Sequence, residues 1–137
     1  MNGKLILRLS LFGLAMAVAT VFVVPQRAEP FLWLPIFVYC AYVIAKTVPE
    51  RPFVHGLLLG LMNSVWITAI HILLFGAYLA HHPGEAGMME SMKMPIAPQL
   101  LMAIVGPCVG VASGIVLGLF SLAARWILAR RSQAAAS

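Results

Sequence analysis

Gly106-Pro107-Cys108-Val109-Gly110-Val111-Ala112-Ser113-Gly114-Ile115-Val116-Leu117-Gly118 sets four glycines at every fourth position. They lie inside residues 99–124, a stretch with no charged side chain. In a water-soluble helix each glycine would cost about 1 kcal/mol relative to alanine. In a bilayer the same residues form a smooth groove along which a second helix backbone can approach closely. The stretch therefore reads as the packing seam of a helical membrane protein.

Composition points the same way. The chain has 137 residues, of which 62% are hydrophobic and 9% charged, with a mean hydropathy of +0.97. Soluble domains carry charge on roughly a quarter of their residues. A chain this poor in charge cannot cover itself for water, so the bilayer is its expected solvent and partner. Residues 1–137 suit one transmembrane domain. Nine Lys and Arg stand against four Glu, and the pI is near 9.8. The basic residues flank apolar runs, which is the pattern of membrane orientation and excludes nucleic acid as a partner. Cys40 and Cys108 lie in different apolar runs with no CxxC spacing. They read as inert thiols.

Four spans follow from the apolar runs: about 5–24, 31–48, 53–80 and 99–128, with an outer loop at 81–98. The first is open to two interpretations. Lys4 and Arg8 before a run with small residues at Ala15, Ala17 and Ala19 fit a cleaved signal peptide. The apolar run continues through Val24, however, and that favours a retained first helix. The second span holds Pro35 near its first turn, where a missing N–H does little harm. In the third, 28 residues would extend ~42 Å at 1.5 Å per residue, more than a ~30 Å hydrocarbon core, so the helix should tilt or emerge. Glycines and prolines argue against a regular helix throughout 81–98. The tail from residue 130 onward is small and polar and is expected to fray.

Lys4, Arg8, Lys46, Arg51, Arg125, Arg130 and Arg131 fall at the two ends and in the middle loop, whereas Arg27 and Lys93 fall in the other two loops. The positive-inside tendency then places both termini in the cytoplasm of a multi-pass protein of the cell membrane.

The third span carries its own four-residue series: Gly56, Gly60, Ser64 and Thr68. Run antiparallel to the fourth, it pairs Gly56 with Gly118, Gly60 with Gly114, Ser64 with Gly110 and Thr68 with Gly106. The expected fold is thus all-α, an integral membrane bundle of four transmembrane helices with the third and fourth packed through small-residue stripes. A stripe of this kind can also face a second copy of the chain, so a homo-oligomer is the alternative use of either one.

Polar groups in the third span mark where a site would lie. At 100° per residue Ser64, Thr68 and His71 share an arc of about 60°, with Asn63 beside it. Asn63 and His71 form the candidate intramembrane polar site. With every Glu in a loop or at a span end, a neutral, hydrogen-bonded His71 is favoured over a proton path. His55, near Arg51, reads as an interfacial residue.

His81, His82, Met88, Met89, Met92 and Met94 crowd into the outer loop around Glu85 and Glu90. Thioether and imidazole donors suit copper, and over this one loop the segment resembles the Met-rich segments of copper-handling proteins. GxSxG, HExxH and phosphate-loop motifs are all missing from the sequence. The expected function is a non-enzymatic membrane protein, either an accessory or an oligomeric transporter or channel component. The alternative is a metal-binding membrane protein that takes copper on the outer loop.

Overall fold

The computed structural model describes residues 1–25, 27–92 and 95–136, and it is all-helical, with no strand among the described residues. The helices are α1 (Gly3–Phe22), α2 (Glu29–Thr47), α3 (Pro52–Leu73), α4 (Phe75–His81), α5 (Pro83–Met92) and α6 (Pro98–Ala136). Four of them, α1, α2, α3 and α6, are long and apolar enough to cross a membrane.

Their starts have local causes. The Asn2 side chain accepts from Leu5 N at 3.1 Å and caps α1. Pro30 and Pro52 occupy first-turn positions of α2 and α3, where no intrahelical donor is lost. Because α2 begins at Glu29, Pro35 sits inside the helix rather than in its first turn.

Three segments differ from the sequence expectation. The run 53–80 is not one helix: it breaks at Leu74, whose φ of −106° and ψ of 29° are non-helical. The 22 residues of α3 rise ~33 Å, close to the ~30 Å hydrocarbon thickness. The surplus that would have forced a tilt forms a separate short helix. Residues 83–92 are helical despite Gly84 and Gly87. Pro83 opens α5, Glu85 sits in the first turn where the helix dipole favours an anion, and alanine and methionine supply helix propensity. The tail is helical through Ala136. Its alanines and arginines are strong helix formers, and the Arg130 guanidinium lies 3.6 Å over the Trp126 ring one turn back.

α3 packs chiefly along α6 and also along α1, while α2 lies on α6. Where α3 meets α6 the backbones touch. A Cβ at Gly56 would sit 2.6 Å from Gly118 Cα, and one at Gly60 would overlap Gly114 Cα. Ser64 Oγ lies against Gly110 and Thr68 Oγ1 against Gly106. On α3's other neighbour, the Asn63 side chain fills the space over Gly13 of α1.

The apolar core sits toward one end, where Leu9, Cys40, Ile44, Leu59 and Leu117 are buried together. That end is tied by polar links. His55 Nδ1 donates to Arg51 O at 2.8 Å, its Nε2 accepts from Asn2 N at 3.1 Å, and Arg125 Nε donates to Pro49 O at 3.3 Å. His55 is therefore a buried clamp, 2% exposed, between the starts of α1 and α3. Large apolar side chains such as Leu11, Val65, Ile104 and Leu119 are about half exposed on four different turns of α1, α3 and α6, which is the surface a lipid solvent requires.

Candidate functional site

Toward the other end the helices line an open cavity of about 670 Å³. Its depth follows from α3: Asn63 and His71 both line it, and eight residues of helix rise ~12 Å. The volume lies within the ~300–1,000 Å³ typical of small-ligand pockets.

His71 and Tyr78, on one wall, begin a ladder of rings that continues to His82 behind it. The His71 ring stacks on Tyr78 with centroids 4.6 Å apart, and Tyr78 stacks on His82 at 4.4 Å. The break at Leu74 makes this possible, because it turns α4 so that Tyr78, seven residues on, comes back over His71. The Tyr78 hydroxyl donates to Glu85 Oε2 of α5. Burial, this hydrogen bond and the negative charge of Glu85 and Glu29, in that order, push the Tyr78 phenol well above its ordinary range.

His71 is held from α1. The Thr20 hydroxyl donates to Ala17 O at 3.1 Å and lies 2.8 Å from His71 Nε2. The Thr20 contact ties the His71 ring to α1. His82 Nδ1 donates to Tyr78 O at 2.9 Å, and its Nε2 is buried with no hydrogen-bond partner.

Of the sequence candidates, the structure brings Asn63, Ser64, Thr68, Gly106 and His71 to the cavity. The metal candidates are divided. Met89 lines the cavity, whereas Met88 and Met92 are 52% and 47% exposed. His81 donates from Nδ1 to Ala77 O and sets its ring edge-on to Phe22. Met94 lies outside the described residues. Among the described residues, no group of three or more His, Cys, Asp or Glu is placed to hold a metal ion.

Two carboxylates escape a reading of the spans. Glu29, at the first position of α2, and Glu85, in the first turn of α5, both line the cavity that holds His71. They are 42 residues before and 14 residues after that histidine, so no local pattern links them. Their one visible signal is that each follows or precedes a proline at a helix start. Trp33 and Phe37, one turn apart on α2, contribute an edge-to-face pair at 5.7 Å to the same wall.

No protein-family model matches this chain, and no curated protein or solved structure is detectably similar to it.

Proposed function

We propose that this is an integral membrane protein whose α1, α2, α3 and α6 form a four-helix bundle in the cell membrane, with both termini cytoplasmic. Its role is to hold a small ligand in a vestibule on the outer side, as an accessory or as a component of an oligomeric transporter or channel, without catalysing a reaction. In this arrangement α3 and α6 run antiparallel and pack through their small residues, the buried core lies toward the cytoplasm, and the cavity lies toward the exterior.

One observation carries the ligand reading: polar side chains from α2, α3, α4, α5 and α6 converge on a cavity of drug-sized volume. An open cleft of this size, lined by Asn63, Thr68, His71 and Glu85, has the volume and the convergent polar groups of a ligand site.

The test fills the space. Val109 lines the cavity and is 58% exposed, so Val109→Trp adds bulk without disturbing a buried contact. Ligands that raise the thermal midpoint of the wild-type protein in lipid nanodiscs should lose that effect in Val109→Trp, while the unliganded midpoint stays within a few degrees. Equal shifts in the two proteins would show that the cavity is not where ligands bind.

A further inference from the structure

We infer that the cavity takes a hydrophobic organic cation, a protonated amine carrying an apolar or aromatic body, with its charge between Glu29 and Glu85. The inference rests on the ligand-binding reading above and names the chemistry of the ligand.

Three of the hydroxyl donors around the cavity are already used. Ser64 Oγ donates to Leu61 O at 2.8 Å, Ser113 Oγ donates to Gly110 O at 3.2 Å, and Tyr78 donates to Glu85. His71 Nε2 is engaged by the Thr20 hydroxyl at 2.8 Å. What these groups can offer a ligand is acceptor lone pairs. Asn63 Oδ1 is not among them, because it is buried against Gly13 of α1. A ligand rich in N–H donors satisfies these atoms, and one rich in acceptors does not.

Charge narrows the class. Glu29 and Glu85 line the cavity, and no Lys or Arg among the described residues does so, in a chain with nine of them. An anion would meet two carboxylates with no counter-charge. A neutral ligand would exclude water from those carboxylates and leave them uncompensated, which is costly in a low dielectric. A small inorganic cation demands a shell of oxygen ligands, and among the described residues no group of three or more His, Cys, Asp or Glu is placed to form one. An apolar body suits walls built from Ile67, Leu101, Met102 and Val105, and the faces of Trp33, Phe37 and Tyr78 attract a cation further.

Three probes with one apolar body isolate the charge: 4-phenylbutylammonium, 4-phenylbutanol and 4-phenylbutanoate, titrated calorimetrically into protein in uncharged phosphatidylcholine nanodiscs. The ammonium should bind saturably and at least about tenfold more tightly than the alcohol, with no saturable binding of the carboxylate. Glu29→Gln, which spares the Tyr78–Glu85 hydrogen bond, should weaken the ammonium about tenfold, and the Glu29→Gln/Glu85→Gln pair further, with alcohol affinity unchanged in both. Circular dichroism and size-exclusion profiles matching wild type exclude misfolding as the cause. Equal affinities for the three probes, lost in Val109→Trp, would overturn the cation inference and leave the ligand site standing. Ammonium affinity unchanged in the double variant would do the same. If no probe binds saturably, or if binding survives in Val109→Trp, the cavity reading falls and the inference with it.

Discussion

At the scale of single residues, the contact between α3 and α6 turns on hydrogen atoms standing where other residues have side chains. A methyl group on Gly60 would overlap Gly114 Cα and come within 3.2 Å of Gly110 O. These are backbone atoms and cannot swing aside as a side chain could, so the helices themselves must separate. Gly60→Ala should therefore destabilise the protein by about 1–3 kcal/mol, the usual cost of overpacking, seen as a lower midpoint in denaturant titration of the micelle-solubilised protein. Gly76 provides the control, because nothing lies within 4 Å of a Cβ there. Gly76→Ala should be neutral or raise stability by up to ~1 kcal/mol through helix propensity. A loss equal to that of Gly60→Ala would show that glycine matters here for flexibility rather than for close approach. The four-residue spacing of the glycines can be read from the sequence, but which of them meets backbone and which meets a hydroxyl cannot. Gly13 belongs to no series, and only the structure reveals that its missing side chain makes room for Asn63.

At the scale of elements, the long helices are legible because they rest on additive signals: an uncharged run of sufficient length, bounded by prolines or basic residues. The breaks are not, because they rest on competition. Leu74 is an ordinary helix former, and only the surplus length of 53–80 hints that the helix must end before residue 80. In α5 two glycines compete with Glu85, Ala86, Met88, Met89, Glu90 and Met92, and the helix formers prevail. The margin is small, since α5 buries no residue fully and is ten residues long, too short to be stable on propensity alone. Its helicity should therefore respond to Gly84 and Gly87, where a Cβ meets nothing within 4 Å. Gly84→Ala and Gly87→Ala should each stabilise α5 by ~0.5–1 kcal/mol, measured as slower amide hydrogen exchange at residues 87–92 with no change in α3 or α6. Unchanged or faster exchange in α5 would show that the segment is not a helix in solution. The described methionines of the outer segment are divided by the same helix: it puts Met88 and Met92 on one face and turns Met89, one residue on, by 100° toward the cavity.

At the scale of the whole molecule, the two ends differ in kind. One carries the buried apolar core and the clamp of Asn2, Pro49, His55 and Arg125; the other carries the cavity, both of its carboxylates and the ring ladder. The candidate site was only half legible for this reason. His71 and Asn63 stand out as polar residues in an apolar run, but Glu29 and Glu85 look like ordinary loop charges until tertiary folding brings three distant segments together. The distribution of Lys and Arg separates the same two ends, seven against two, and the positive-inside tendency turns that asymmetry into a direction. Two single cysteines in a Cys108→Ala background test it, with Cys40 left in place because it is buried. Glu90→Cys lies on α5 beside the cavity end, and Ser132→Cys lies near the end of α6 on an exposed turn. A membrane-impermeant maleimide added to intact cells should label residue 90 and leave residue 132 untouched until the membrane is permeabilised. The reverse pattern would put the cavity on the cytoplasmic side, where a protonated amine would be drawn from the cell interior. Labelling of both residues in intact cells would place them on the same side and rule out α6 as a spanning helix that separates them. The direction matters to the chemistry, because a membrane potential negative inside pulls a cation inward at ~2.3 kcal/mol per charge per 100 mV. An exterior vestibule bearing two carboxylates would then lie on the side from which that potential drives cations into the cell.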